Sequence, residues 1–440
     1  MGLREEAAAA GRVLREAAPL MVAELLPSAA WLTDIGFVSP LGPSAAAAVG
    51  AGGYANWLLG VSLNAFYTGL MVVAGQAWGS GRRRLAERAA GETLAAALLA
   101  AVLLAAAGYL AAPFFASLLV GEPGVAELAA RYIRARVVGL PGLAALLVYD
   151  AALRGTGAGR EILVGNAAAA AVNIILDPLL IYAAGLGVPG AGYATAASNY
   201  VGGLVLAVYV DRRLGGALPR RPGGLAVRVA RVGFPAMAER LAFAAGHGVY
   251  LASVARCGPE ALAAHSVGVR VESLAFLPAW ALSTYASSVV AQAVGSGDVE
   301  AAEERGWEAV KAGTVFMAAM GVVLAAASPL AALLAPAGAA RRLTVLYLIL
   351  AAASEPALGA AMVAAGAVRG AGDTRTPTVV NLAALYLLRV APSAALAGRL
   401  GGALCPVAAW LLMDLDTFAR AVLLAWLYRR RFRSMARRVV

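Results

Sequence analysis

The sequence predicts an all-α polytopic membrane protein in which twelve transmembrane helices form two parallel six-helix repeats. Three observations support this prediction: the composition, the placement of arginine along the chain, and an internal duplication. The 440 residues are 61% hydrophobic and only 14% charged, with a mean hydropathy of +0.76. Because soluble domains carry about 25% charged residues, this composition excludes an ordinary soluble fold.

Apolar runs long enough to cross a bilayer recur from one end of the chain to the other. A transmembrane helix needs about 20 residues, and several runs are longer, which indicates tilted helices or helices that continue into the cytoplasm. The predicted spans cover residues 16–38, 46–72, 90–119, 127–151, 162–185, 190–210, 230–254, 261–292, 308–335, 342–366, 378–398 and 403–427.

Arginine residues collect in every second connection between the predicted spans, whereas the alternate connections carry few. Cytoplasmic loops are enriched in basic residues, so we expect a multi-pass protein of the cytoplasmic membrane with both termini in the cytoplasm. The segment Met1–Arg15 is polar and charged, and we expect no cleavable signal peptide. The net charge of +11 is spread over all the basic connections, which favours the lipid bilayer over nucleic acid as the partner.

The chain is internally duplicated. The segment GQAWGSG at 75–81 recurs as AQAVGSG at 291–297, and LRGTGAGR at 153–160 recurs as VRGAGDTR at 368–375. Each half contains six predicted helices, an even number, so both halves have the same orientation and form parallel repeats.

The duplication predicts an N-terminal lobe at 1–210, a basic, Gly/Pro-rich cytoplasmic linker at 211–229, and a C-terminal lobe with a basic cytoplasmic tail at 230–440. Two similar lobes around a central cavity can expose it to alternate sides of the membrane. We therefore expect rigid lobes that rock about the linker.

Asp34 and Asp177 fall inside predicted spans. A carboxylate at the centre of a membrane helix costs about 3 kcal/mol even on a permissive insertion scale. Such residues face a protein interior or a wet cavity and are functional candidates by default. The structural alternative is a carboxylate that is neutralised by a neighbour or that caps a broken helix.

The duplicated loops of the forms Gln-x-x-Gly-x-Gly and Arg-Gly-x-Gly, with NIILDPLLIY and GVPGAGYATAAS, resemble the multidrug and toxic compound extrusion (MATE) family of the MOP superfamily. The segment GVRVESLAFLPA at 268–279 is similar to the eighth helix of the branch that contains DNA-damage-inducible-protein-F-like and archaeal members. The resemblance covers essentially the whole chain. It implies a secondary antiporter that exports small cationic, amphipathic organic compounds by alternating access, driven by inward protons or sodium.

The resemblance also implies a cation-coupling site in the N-terminal lobe, at Asp34, Tyr132, Asn173, Asp177 and Thr195. Counting residues along the helices places these side chains in the outer half of the membrane, and Asn173 and Asp177 share a helix face. Their oxygen atoms suit a hard cation, so Na⁺ at Asp34, Asn173, Asp177 and Thr195 or a proton could be carried. Pro19 and Pro178 are the expected helix-bending positions.

The second lobe does not repeat the aspartate pair and has its own intramembrane glutamates, Glu272 and Glu355. With Arg389 they predict either internal ion pairs or a second ion or substrate site. Cys257 and Cys405 show no metal spacing and define no disulfide framework. His247 and His265 are interpreted as packing residues.

Two alternatives to drug export stay open at this point. A lipid-linked-precursor flippase of the same superfamily would be expected to have a more cationic cavity, whereas the clearest motif here is acidic. An intramembrane enzyme of the prenyltransferase type would need clustered metal-binding acids, and Asp414 and Asp416 stand alone. We therefore expect a monomeric transporter without enzymatic activity, cofactor or resident metal.

Overall fold

The computed structural model describes residues 3–397 and 399–440, and all regular structure in this part of the chain is helical. The helices are α1 Leu3–Val38, α2 Pro43–Val61, α3 Asn64–Gly79, α4 Arg83–Leu119, α5 Pro123–Val137, α6 Leu140–Gly155, α7 Gly159–Pro178, α8 Val188–Leu214, α9 Gly224–Ala255, α10 Pro259–Ser296, α11 Val299–Ala331, α12 Ala339–Gly370, α13 Arg375–Ala384, α14 Ala391–Leu396 and α15 Leu404–Met435.

These helices coincide with the predicted membrane spans. Among the described residues, eight helical segments are long and apolar enough to cross a membrane, and two bent pairs, α2/α3 and α5/α6, bring the number to ten. The remaining long helices, α9 and α15, have 32 residues each, or about 48 Å at 1.5 Å per residue. The predicted all-α membrane fold is confirmed.

Two spans bend sharply at positions where no bend was predicted. The α2/α3 pair bends by 42° and the α5/α6 pair by 49°. At the second bend, a Cβ on Gly139 would lie 2.5 Å from the Cα of Ala196 on α8. The bend therefore allows close backbone contact between two spans, which small residues permit in membranes.

The chain folds into two compact units that do not follow the repeat boundary. The N-terminal unit consists of Val22–Met237 with Val439–Val440, and the C-terminal unit consists of the residues through Met21 with Ala238–Arg438. The border thus crosses α1 after Met21 and α9 after Met237, two residues beyond Pro19 and Pro235 respectively.

Polar contacts hold the first part of α1 in the C-terminal unit. The Tyr285 hydroxyl donates to Glu16 at 2.6 Å, and Lys311 donates to Glu6 at 3.1 Å. In the N-terminal unit, the first part of α9 meets α3 backbone to backbone: a Cβ on Gly69 would lie 1.9 Å from the Val229 carbonyl oxygen.

The linker is bound to the N-terminal unit along its length. The Tyr149 hydroxyl donates to the Ala217 carbonyl at 2.6 Å, and the Arg220 amide donates to the Gly91 carbonyl at 2.9 Å. Glu92 then accepts from the amide of Leu225, in the first turn of α9, at 3.0 Å. Three contacts therefore attach the linker to the rest of the N-terminal unit, and the expected rocking of the lobes stays a prediction.

The two cysteines form a disulfide, which corrects the expectation that they define no disulfide framework. Cys257 follows α9, Cys405 lies in the first turn of α15, and their Cα atoms are 5.5 Å apart. A hydrogen bond of 3.1 Å from Tyr250 to the Ala409 carbonyl joins the same two helices. The cysteines are 148 residues apart in sequence, so only the packing of α9 on α15 reveals the pairing.

Candidate functional site

The two aspartates singled out by the sequence lie together inside the N-terminal unit. Asp34 on α1 is 2% exposed and Asp177 on α7 is fully buried. The two carboxyl groups are close enough to share a hydrogen bond when one of them carries a proton. Apart from such a proton, neither oxygen of Asp177 has a hydrogen-bonding partner.

The helix that carries Asp177 changes its winding directly after this residue. Pro178 ends the α-helix, and the chain continues as one π-helical turn over Leu179–Ala183. Proline lacks an amide hydrogen, and single π turns inside α-helices are frequent at functional sites. The predicted helix irregularity at Pro178 therefore lies beside the buried carboxylate.

Asn173 and Thr195 extend this group from Asp34 by hydrogen bonds. The Asn173 amide nitrogen lies 3.5 Å from the Thr195 hydroxyl oxygen, and that hydroxyl can donate either to Asp34 at 3.2 Å or to the Ala191 carbonyl at 3.1 Å. Asn173 lies one helical turn from Asp177, as predicted from the spacing. Four of the five predicted site residues thus form one connected group.

Tyr132, the fifth predicted residue, is fully buried on α5 beside Gly52 of α2, where a Cβ would come within 2.6 Å of the phenol ring. Its hydroxyl accepts a hydrogen bond of 2.5 Å from the guanidinium of Arg136. Both aspartates interact electrostatically with that guanidinium. Arg136 was not predicted, although a basic residue inside the predicted span 127–151 was a visible signal.

We call these six residues the N-terminal polar cluster: Asp34, Tyr132, Arg136, Asn173, Asp177 and Thr195. Four of its buried acceptor oxygens have no donor: Asp34 Oδ1, Asn173 Oδ1 and both carboxyl oxygens of Asp177. Buried polar atoms are normally satisfied, and unpartnered carboxylate oxygens are satisfied by a proton or by a cation. The cluster can therefore bind positive charge.

The C-terminal unit contains a second buried polar group around the predicted residues. Glu272 accepts from the Tyr347 hydroxyl at 2.5 Å, whereas Glu355 is 1% exposed and both of its carboxyl oxygens lack a partner. Arg389 pairs with Asp416 at 2.7 Å, rather than with either glutamate. The sequence missed Asp416 as a partner because its apolar neighbours on α15 gave no indication of which helix it faces.

Each unit also contains one buried arginine from the duplicated Arg-Gly-x-Gly loop. In the N-terminal unit, Arg154 pairs with Asp150 and, at 2.9 Å, with Glu24 of α1. In the C-terminal unit, Arg369 pairs with Glu239 of α9 at 2.8 Å. Both arginines thus hold the first helix of their own repeat, within three residues of the unit border.

Among the described residues, no group of three or more histidine, cysteine, aspartate or glutamate side chains could hold a metal ion. The two histidines pack against aromatic residues: His265 lies edge-on to Tyr250 and Tyr347, with ring centroids 5.6 Å and 5.4 Å apart.

Comparison with solved structures matches this helical arrangement. A crystal structure of MATE in the straight conformation superposes with a TM-score of 0.88 over 97% of both chains, at 21% identity. A MOP superfamily transporter from Pyrococcus furiosus Vc1 gives the same TM-score over 98% of this chain and 97% of that one, at 20% identity. At this identity the likeness concerns the fold.

Curated relatives share between a quarter and a third of the aligned residues with this chain, and they differ in how much of it they cover. The probable multidrug resistance protein NorM of Thermotoga maritima is 26% identical over 296 residues, 66% of this chain, and the match spans less than two thirds of that relative's length, 64%. The protein of the same name from Deinococcus radiodurans is 28% identical over 86% of both chains. An FAD transporter of Shewanella oneidensis is 28% identical over 66% of both chains.

The MatE family model matches the chain twice, at residues 19–179 and 235–394. The two matched regions begin at Pro19 and Pro235, which have the same separation in sequence as Gln76 and Gln292 of the duplicated loop. Since these regions together cover well over half of the sequence, the chain belongs to the MatE family.

Proposed function

We propose that this protein is a secondary active antiporter that exports cationic amphipathic compounds in exchange for an inward-moving cation. The N-terminal polar cluster carries the proposal, because it presents four unpartnered acceptor oxygens from Asp34, Asn173 and Asp177 inside a membrane protein. Family membership and relatives that are called probable multidrug resistance proteins support export as the task.

Cation loading at this cluster can be coupled to a change of shape. Two adjacent carboxylates repel each other unless positive charge lies between them. A cation that binds one conformation more tightly than another shifts the equilibrium by that difference in affinity. We place the bending that follows in α1 and α9, because the border between the units crosses both helices two residues after Pro19 and Pro235.

The buried group in the C-terminal unit is a second candidate binding site. Glu355 has no partner for either carboxyl oxygen, and Glu272 has the Tyr347 hydroxyl as its hydrogen-bond donor. Arg389 is engaged with Asp416, so it does not neutralise the glutamates by a direct ion pair. We propose that these glutamates bind a second ion or the positive charge of a substrate.

Reconstituted protein should accumulate a cationic dye against its concentration gradient when an inward cation gradient is imposed. The measurement uses proteoliposomes with a proton gradient and a sodium gradient applied separately, and empty liposomes as the control. FAD is the second test substrate, since one relative is an FAD transporter. Uphill FAD movement without dye movement would redirect the substrate assignment, and movement of neither compound would contradict export.

A lipid-linked-precursor flippase is the remaining transport alternative. Such a substrate carries an anionic headgroup and calls for unpaired cationic side chains. In the N-terminal polar cluster the single guanidinium is engaged with the Tyr132 hydroxyl and faces two carboxylates. This charge balance favours a cationic substrate or ion over an anionic headgroup.

We also propose that both termini are cytoplasmic. The disulfide between Cys257 and Cys405 supports this orientation, because disulfides persist in oxidising compartments outside the cytosol. The linker between α8 and α9, at the other end of α9, carries Arg220 and Arg221, as expected for an inner loop.

Single cysteines should report this topology in a background without Cys257 and Cys405. An impermeant thiol reagent added from outside should label cysteines introduced at Ser44 and Gly187, and should leave those at Ser80 and Gly157 unlabelled until the membrane is opened. The reverse labelling pattern would place the termini outside.

A further inference from the structure

Arg136 occupies an unusual place for a basic residue in a membrane helix. It lies in the last turn of α5, just before the 49° bend to α6, near the middle of the span formed by Pro123–Gly155. Its neighbour Arg134 turns away to Tyr109, whose ring centroid is 5.3 Å from the guanidinium. The Arg136 side chain is half-buried, and an arginine inside a membrane helix is costly and marks an ion or substrate pathway.

The largest electrostatic contributions at Arg136 come from groups of the N-terminal polar cluster. They are Tyr132 on its own helix, Asp34 on α1 and Asp177 on α7. The cluster therefore contains two acidic groups and one permanently charged guanidinium, because arginine is not deprotonated in proteins. One further unit of positive charge neutralises it.

Arg136 also competes for one of the oxygens that a sodium ion would need, that of Tyr132. Its guanidinium takes the hydroxyl oxygen of Tyr132 at 2.5 Å. Asp34 Oδ2 already faces the Thr195 hydroxyl at 3.2 Å. A sodium ion must exchange its hydration shell for several protein oxygens. A proton needs only one carboxylate oxygen to bind and a second one to accept its hydrogen bond.

We propose that Arg136 sets the ion selectivity of the N-terminal polar cluster, by acting as a tethered cation that excludes sodium. The proposal rests on the proposed function, because it names the proton as the coupling ion of the proposed antiporter. The guanidinium interacts with both aspartates, so a sodium ion bound to them would be repelled by a like charge. This repulsion, together with the loss of the Tyr132 oxygen, weakens sodium binding at the cluster.

Sodium binding to the purified full-length protein tests the proposal without requiring transport. Sodium chloride is titrated against choline chloride at constant ionic strength and pH, and the thermal unfolding midpoint is recorded, because a ligand that binds the native state raises it. Wild-type protein should show no sodium-specific rise. Arg136→Gln should show a saturable rise, with sodium affinity about tenfold or more above that of the wild type.

Matched variants separate charge from structure. Arg136→Lys keeps the charge and should stay insensitive to sodium, as should Arg134→Gln, which removes a neighbouring charge outside the cluster. If Arg136→Gln is unstable, Arg136→Met replaces the guanidinium by an apolar chain and gives the same test. Adding Asp177→Asn to Arg136→Gln should abolish the sodium response, which locates the ion at the cluster.

Two results would overturn the proposal: wild-type protein that binds sodium as tightly as Arg136→Gln, or an Arg136→Gln protein that gains no sodium response while remaining folded. Both results are independent of efflux. If wild-type protein moves neither dye nor FAD under any gradient, the proposed function is contradicted instead. The comparison of sodium affinities between wild type and Arg136→Gln still tests the present proposal in that case.

Discussion

Replacing Asp34 or Asp177 by asparagine is expected to abolish gradient-driven efflux while the protein stays folded and still binds dye, at least weakly. Asparagine keeps the size of the side chain and removes the negative charge, so the cluster can no longer gain a cation in one conformation and lose it in another. A 100-fold difference in ion affinity between two conformations corresponds to about 2.7 kcal/mol. Uphill transport in proteoliposomes is measured beside dye binding in detergent.

Glu355→Gln is the matched control, because it also neutralises a buried carboxylate without hydrogen-bonding partners, in the C-terminal unit. Its effect on transport should be milder than that of either asparagine variant. If Asp34→Asn and Asp177→Asn both pump at rates close to wild type, the coupling ion loads elsewhere. Glu272 then becomes the leading candidate.

The helical fold could be predicted because the bilayer leaves few choices. Backbone polar groups in lipid must be satisfied within helices, so each long apolar run predicted a span, including the charged helices α9 and α15. The bends at Ser62–Leu63 and Val138–Gly139 were not predicted, although Gly139 and Pro141 at the second bend are residues at which helices kink. They depend on contacts with other helices, such as that of Gly139 with Ala196.

Part of the candidate site could be predicted from two features: charged residues in apolar runs, which are energetically costly in a membrane, and the spacing of polar residues along a helix. Asp34 and Asp177 were conspicuous as charges in apolar runs, and Asn173 followed from its position one turn away. Arg136 is also a charged residue inside a predicted span, where a charge is energetically costly. Most arginines of the chain instead lie in the connections between spans. Identifying it required its contact with Tyr132.

Pairings between distant helices were the least predictable part. The sequence placed Arg389 inside a predicted span but could not choose among Glu272, Glu355 and Asp416 as its partner, because helix rotation decides which side chains face each other. The disulfide between Cys257 and Cys405 depends in the same way on two helix ends meeting.

Breaking the ion pair between Arg369 and Glu239 should be strongly destabilising. The two side chains are 12% and 13% exposed, and Glu239 also accepts from Thr378 and Asn381 at 2.9 Å and 2.7 Å. Removing one partner of a buried pair leaves an uncompensated charge and costs about 3 kcal/mol or more. Arg369→Met should therefore lower the free energy of unfolding by about that amount, measured by thermal or denaturant unfolding in detergent.

A double-mutant cycle tests whether the lost charge balance is the cause. Combining Arg369→Met with Glu239→Gln removes the orphaned charge and keeps an acceptor for Thr378 and Asn381, so most of the lost stability should return. The pair between Arg131 and Glu127 is the exposed control: its side chains are 61% and 66% exposed, and Arg131→Met should cost less than about 1 kcal/mol. Equal losses in Arg369→Met and Arg131→Met would show that the buried pair does not anchor α9. A larger loss of stability in Arg369→Met that Glu239→Gln reverses would identify Glu239 as the residue that fixes α9 to the C-terminal unit. Glu239 lies just beyond Pro235, where we place the bending of this helix.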